Sequence, residues 1–259
     1  MATDRHEAVF RGVGVALVTC FDDAGDLDAA ATAALAEQLC ARGVSAVVVA
    51  GTTGEAATLE PQERCTLVEA VRAALPDRVP VVAGTGAPSA RQAVAYTAGA
   101  VDAGADAVLV LSPPGTDDPR RYYEQVAAAA GPVPVLAYHF PAVSPPGIPV
   151  PVLAELPVAG GKDSSGDPDR LLDELVTVPG ALYTGSVSLC LLAGALGAAG
   201  AILAMANVEP ERCARAFAGD ADAARELVPL NRTVRQGGIP TLKRLVAERF
   251  GVPAHARVA

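Results

Sequence analysis

Only two lysines occur in the 259 residues, Lys162 and Lys243; the remaining basic charge is arginine. Lys162 sits in VAGGKDSSGD (Val158–Asp167), between an apolar run with a Gly-Gly pair and a polar turn. An amine desolvated in such a pocket loses its proton and becomes a nucleophile toward a carbonyl. Its ordinary pKa of about 10.4 must fall, and a drop of about three units corresponds to roughly 4 kcal/mol. Tyr138, in YHFP (Tyr138–Pro141), supplies a phenol able to shuttle protons during imine formation and carbon–carbon bond cleavage. GTTGE (Gly51–Glu55) offers the hydroxyls of Thr52 and Thr53 and backbone N–H groups in a concave turn, a setting for a carboxylate or phosphate. The next helix starts near Pro61, several residues on, so the loop rather than a helix dipole would hold the anion. Alone, each feature has an ordinary structural reading: a solvated lysine, a core tyrosine, a tight turn.

The remaining reactive residue types narrow the chemistry. His139 is the one histidine apart from the terminal His6 and His255. With no ligand cluster around it, it reads as a pocket-wall residue or one lying behind the pocket wall, rather than a metal ligand. The five cysteines are odd in number, widely spaced and without a CxxC pair, so they read as buried reduced thiols. Neither a metal nor a cofactor is expected.

These residues need elements to position them. Short β-branched runs alternate with Ala-rich segments along most of the chain. Strands are expected over 14–21, 45–50, 79–85, 106–112, 133–139, 158–163, 181–185 and 201–207. Most are continuous apolar runs, the pattern of parallel strands covered on both faces. The intervening stretches carry helix signals: Pro61 in a first turn, Ser89 as an N-cap, and Asp-Pro openings at Asp118–Pro119 and Asp167–Pro168. Eight β-then-α units in about 210 residues point to an α/β fold of the (β/α)8 TIM-barrel type. An open dinucleotide-binding sheet is disfavoured, because GTGAPSA has Ser89 where G-x-G-x-x-G needs its last glycine. The expected organisation is a catalytic barrel over 1–210 and a short C-terminal helical extension over 211–259, packed on the barrel or against a neighbouring subunit. In such barrels active sites lie at the C-terminal ends of the strands. GTTGE, GTG (Gly84–Gly86), SPPG (Ser112–Gly115), YHFP, Lys162 and TGS (Thr184–Ser186) all fall there.

Composition excludes several classes. The net charge is −9 and no basic run exceeds two residues, which argues against a nucleic-acid surface. MATDRHEAVFRG has no apolar leader core, and CLLAGALGAAGAILAMA, the nearest to a membrane span, is divided by glycines. A cytoplasmic protein with small-molecule partners and no membrane contact is expected.

In this order and at these spacings, GTTGE, YHFP, GGKDSSGD and GAILAMANVEPE resemble the dihydrodipicolinate synthase/N-acetylneuraminate lyase family over about 12–250. The resemblance implies a class I pyruvate-type aldolase without a metal. Lys162 would form the Schiff base with pyruvate or a longer 2-oxo acid. Gly51, Thr52 and Thr53 would hold its carboxylate, Tyr138 would shuttle protons, and Gly185, Ile202 and His139 would line the pocket. It also implies a homo-oligomer, a dimer or a tetramer of paired dimers. The chain departs from the family's synthases at three places. Pro114 and Gly115 stand where a tyrosine pair is usual, so that proton relay is not intact. Val143 lies in the region of an arginine, and His139 replaces an asparagine. PAVS is closer to the lyase branch's PALS, and the C-terminal helices are shorter than usual.

The expected function is therefore a Schiff-base-forming aldolase or lyase on a 2-oxo acid, with an aldehyde partner the sequence does not identify. Two alternatives stand beside it. One is 4-hydroxy-tetrahydrodipicolinate synthase (dihydrodipicolinate synthase) in lysine biosynthesis. The other is a 2-oxo acid-binding paralogue without turnover. A phosphate-binding barrel isomerase is disfavoured, since MANVEPE is acidic and lacks a glycine-rich turn.

Overall fold

The computed structural model describes residues 7–258; His6 and the first residues of the stretch read for a leader lie outside them. Eight parallel strands follow one another round a closed barrel. They are β1 (Gly12–Ala16), β2 (Ala46–Val49), β3 (Val81–Gly84), β4 (Ala107–Leu111), β5 (Val135–His139), β6 (Gly160–Asp163), β7 (Ala181–Thr184) and β8 (Gly200–Leu203). β8 closes on β1 with Gly12 opposite Gly200 and Val15 opposite Leu203. The connecting helices are α1 (Ala29–Cys40), α2 (Pro61–Ala74), α3 (Ala90–Asp102), α4 (Arg120–Ala130), α5 (Val150–Leu153), α6 (Pro168–Thr177), α7 (Cys190–Ala195) and α8 (Pro210–Phe217). A further helix, α9 (Ala221–Phe250), follows. This is a (β/α)8 TIM barrel with a C-terminal helical addition, as the eightfold alternation implies. The boundary expected at 210 falls on the first residue of α8.

Local chemistry starts the helices. Asp28 accepts the Ala31 amide at 2.8 Å and opens α1. Glu60 and Glu63 form a capping box around Pro61, the first residue of α2. Ser89 caps α3 and Asp167 caps α6, the latter with Pro168 in the first turn.

Two apolar layers hold the barrel. The interior is filled by Phe10, Val48, Leu136, Tyr138, Tyr183 and Ile202 among others, and a larger layer lies between strands and helices. Phe10 plugs the interior from the N-terminal side. Its ring stacks on Tyr183 with centroids 4.6 Å apart, and its backbone exchanges hydrogen bonds with the Tyr183 hydroxyl.

Three expectations shift. The run 14–21 is strand only to Ala16, and Leu17–Phe21 leaves the barrel as a buried loop. The run 201–207 is strand only to Leu203; Met205–Asn207 is a 3-10 turn. Asn207 explains both, because its side chain accepts the Val18 amide and donates to Ala16 and Ala204 carbonyls, tying the two strand exits together. Helix α5 was not expected. Its segment is proline-rich, and Val150–Leu153 forms only a single turn entered from Pro149.

Gly238 (φ 63°, ψ −157°) breaks α9 into two segments. The second segment carries Lys243 into the interior, where its Nζ donates to Glu55 Oε1 at 2.7 Å with both side chains fully buried. Glu55 Oε2 accepts the amides of Arg257 and Val258, and Arg257 pairs with Glu63 at 2.5 Å. The chain end is thus bound back onto the loop after β2. Breaking a buried pair leaves the partner charge unpaired, at a cost of about 3–5 kcal/mol. Glu55→Gln and Lys243→Met should each lose stability on that scale in urea unfolding. The double variant should lose clearly less than the sum, because it strands no charge.

Candidate active site

Strand alternation decides which residues enter the barrel mouth. Tyr138, Lys162 and Tyr183 are paired across β5, β6 and β7, so they share one orientation, toward the interior that Tyr138 and Tyr183 fill. Lys162 is 6% exposed, and its Nζ lies 4.3 Å from the centre of the Tyr138 ring. Among the described residues it forms no ion pair, whereas Lys243 is neutralised by Glu55. The chain therefore buries two amines in opposite circumstances, and only Lys162 has its nitrogen free of a carboxylate.

The space around Lys162 comes from Gly185. A Cβ there would stand 2.9 Å from Lys162 Cε and would overlap the Ser164 hydroxyl. Gly160 is needed for a different reason: a Cβ would strike the Ala181 carbonyl of β7. Gly161 points the other way, toward Leu153, and clears nothing at the mouth. Ile202 is fully buried in the interior set on β8.

Tyr138 and Lys162 thus come together, with Gly185 against the lysine. His139 does not join them. It is the next residue on β5, so its ring lies on the opposite face, where Nδ1 accepts the Ile148 amide at 2.9 Å. Burial and the nearby Arg170 push its pKa down to about 4, which keeps that nitrogen unprotonated. His139 is a fastener for the loop after β5, not part of the interior mouth.

Across the barrel, β2 leads into the GTTGE turn. Ala50 and Glu55 both adopt left-handed backbone (φ 51° and 57°), and Ala56 N–H closes the turn onto Gly51 O at 3.1 Å. Thr52 is exposed at the rim and Thr53 half-buried, and no acceptor among the described residues takes their amides. Two hydroxyls and two free N–H groups therefore remain for an anion. The GTG segment after β3 has another cause. Cβ atoms on Gly84 and Gly86 would collide with Ala50 and Leu111 backbone, so these glycines serve strand packing. A cavity of about 930 Å³ opens beside this rim, bounded by Thr52, Ser112, Pro114, Ser144 and the break in α9.

Behind Lys162, Asp163 faces outward into a buried charged cluster. Arg170 Nε donates to Asp163 at 2.6 Å, and its Nη2 reaches both the Ile148 carbonyl and Glu174 at 2.8 Å. The guanidinium thus joins β6, α6 and the loop after β5. One residue that sequence reasoning passed over as a turn also belongs here: Ser164 Oγ donates to the Tyr138 hydroxyl at 3.3 Å. Its only sequence signal is its position two residues after the lysine. Among the described residues no three His, Cys, Asp or Glu side chains gather as a metal site, and no helix is long and apolar enough to cross a membrane.

A barrel of this topology with a lysine inside the strand-end mouth defines a class, and comparison with known proteins names it. The model of the dihydrodipicolinate synthetase family matches residues 9–258. The 4-hydroxy-tetrahydrodipicolinate synthase of Salinibacter ruber is 38% identical over 79% of this chain and 71% of its own. The 4-hydroxy-tetrahydrodipicolinate synthase 1 of Streptomyces coelicolor is 36% identical over 98% and 89%. Among solved structures, YagE is a prophage protein of the dihydrodipicolinic acid synthase family from E. coli K12, in complex with pyruvate. It superposes with a TM-score of 0.90 at 26% identity, covering 97% of this chain and 93% of YagE. The chain belongs to the dihydrodipicolinate synthetase family, a family of lyases of the aldolase type, and is an enzyme of that kind.

The charged cluster yields a measurable pH effect. Burial, and Asp163 sharing the single Arg170, raise the Glu174 pKa from 4.5 to about 8. Between those values the folded protein keeps a proton that the unfolded chain releases, so this group's contribution to stability falls as pH rises and levels off above about 8. His139 acts in the opposite sense, losing stability as pH falls from 6.5 toward 4. Glu174→Gln should remove the decline on the alkaline side while leaving the acid side in place, read as urea midpoints from pH 4 to 9.

Proposed function

We propose that the protein is a Schiff-base-forming class I aldolase or lyase in which Lys162 attacks the ketone carbon of pyruvate or a longer 2-oxo acid. The observation that carries this reading is the pairing of a buried, carboxylate-free amine with a phenol 4.3 Å (nitrogen to ring centre) away on the neighbouring strand. The neutral amine adds to the carbonyl and gives a carbinolamine. Tyr138 donates a proton to its hydroxyl, water leaves, and the iminium forms. The Tyr138 phenolate takes a proton from C3 to give the enamine, which attacks an aldehyde while the re-formed phenol protonates the new alkoxide; the reverse sequence cleaves the same bond. Thr52 and Thr53 hold the 2-oxo acid's carboxylate through their unused N–H and O–H groups. The structural relative YagE was crystallised with pyruvate, which supports the choice of probe.

A second reading has support from the curated relatives, which are 34–38% identical and named 4-hydroxy-tetrahydrodipicolinate synthase. Against it stand Pro114 at the cavity rim, Gly115 next to it in sequence, and the exposed Val143. Turnover of pyruvate with aspartate semialdehyde separates the two; its absence, with turnover of another aldehyde, removes the synthase reading.

The imine itself is tested by borohydride. Incubation with pyruvate and borohydride should add one reduced pyruvate, mapped to Lys162. Lys162→Ala should abolish the adduct, and Lys243 should stay unmodified. No adduct, or an adduct on Lys243, refutes the assignment. The protein is further read as a homo-oligomer. Leu172 and Val176 on α6, Leu192 on the adjoining α7 and Leu196 just past its end are exposed, Val176 to 88%, and give two packed helices an uncovered apolar face. Val176→Glu with Leu196→Glu should lower the mass in light scattering without unfolding the barrel.

A further inference from the structure

We infer that Ser164 is a positioning residue for proton transfer by Tyr138, holding the phenol beside Lys162 and stabilising the phenolate formed when the phenol gives up its proton. This rests on the imine chemistry proposed above and adds to it a residue with no place in that scheme so far.

The Ser164 hydroxyl is the one hydrogen-bond partner of the Tyr138 hydroxyl among the described residues, 3.3 Å away. When the serine donates in this pair, the phenolic proton is left for the ligand. When the carbinolamine loses its hydroxyl, the C–O bond breaks, the phenolic proton joins the departing oxygen, and water leaves. Tyr138 is then a phenolate. A hydrogen bond into an ionised oxygen is about twice as strong as one into a neutral oxygen, so the serine contributes more as the proton moves than before it.

The surroundings hold Ser164 for this contact. Its amide donates to the His139 carbonyl at 2.9 Å, which fixes the first residue past β6 against the end of β5. The Asp163 carbonyl accepts the Gly185 amide, and the Asp163 carboxylate accepts the Ser165 amide and is gripped by Arg170. Asp163 is thereby bound to the exit of β7 and to α6, and Ser165 is held on Asp163. On the open side, position 185 must be glycine for the hydroxyl to sit where it does, since a Cβ would overlap Ser164 Oγ. One glycine thus accommodates both Lys162 Cε and the Ser164 hydroxyl, and the three groups Lys162, Tyr138 and Ser164 form a contiguous set on two adjacent strands.

The test needs pyruvate alone. Enamine formation exchanges the C3 hydrogens of pyruvate with deuterium from solvent, a rate followed by proton NMR. The borohydride-trapped imine, at saturating pyruvate, reports how much Schiff base is present at equilibrium. Ser164→Ala should trap the imine on Lys162 to the same extent as the wild-type chain. It should slow exchange about tenfold, equivalent to about 1.4 kcal/mol. In a Tyr138→Phe background, already slowed, the serine substitution should have no further effect, because Ser164 acts through the phenol. Unchanged exchange in Ser164→Ala overturns the inference. So does an equal fractional loss with and without Tyr138, or a parallel loss of trapped imine, which would mark a purely structural role. A wild-type chain that traps no pyruvate refutes the imine chemistry itself, and this inference with it.

Discussion

The carboxylate of Glu55 is the point on which the mouth of the barrel depends. It lies fully buried on a left-handed residue and receives the Lys243 ammonium and the amides of Arg257 and Val258. A charge so deeply placed is tolerable only with partners of this kind. The partners come from the far end of the chain, so the bond holds together the loop after β2, the second half of α9 and the C-terminal segment. The loop in question is the one that presents Thr52 and Thr53. The shape of that rim and the packing of the C-terminal helix are therefore not independent properties. The ion pair also separates the two lysines by environment. Lys243 is tied to Glu55 at 2.7 Å, and among the described residues Lys162 is left as the buried amine whose nitrogen has no carboxylate partner.

A second division of labour follows from the period of two in β6. Lys162 and Asp163 are neighbours in sequence and lie on opposite faces of the barrel wall. The lysine enters the interior between Tyr138 and Tyr183. The aspartate enters the layer between strands and helices, where Arg170 binds it to α6 and to the loop that His139 fastens. Reactive groups and the groups that aim them are thus separated by a single strand. The wall between them is rigid because every strand in a closed barrel is hydrogen-bonded on both sides.

Reading the chain in one dimension succeeded where periodicity and caps speak for themselves. The eight apolar runs, the Asp167–Pro168 start of α6 and the Ser89 cap of α3 are local, and each is found in place. Strand ends were less legible. Leu17–Phe21 is as apolar as a strand but is buried by a loop that Asn207 holds from 189 residues away. The glycines around Lys162 each answer to a different neighbour, which a linear string does not name. Gly160 serves the neighbouring strand, Gly161 serves neither strand nor mouth, and Gly185 serves Lys162. His139 looked like a pocket residue because it follows Tyr138, and that adjacency is what sends it to the other face.

The sequence by itself determined the fold and the placing of a lysine, a tyrosine and a Thr pair at the strand ends, because hydrophobic period, turn residues and the rarity of lysine are properties of a linear string. Which of those groups meet was decided only by tertiary structure. Barrel closure sets Tyr138 beside Lys162 through strand register, and the break at Gly238 steers Lys243 to Glu55 across 188 residues. Ser164 reaches the Tyr138 hydroxyl because the exit of β6 is pinned to β5. Each of these is a long-range contact between residues whose types are ordinary, so no local pattern carries it; only burial and hydrogen bonding in the closed barrel select it.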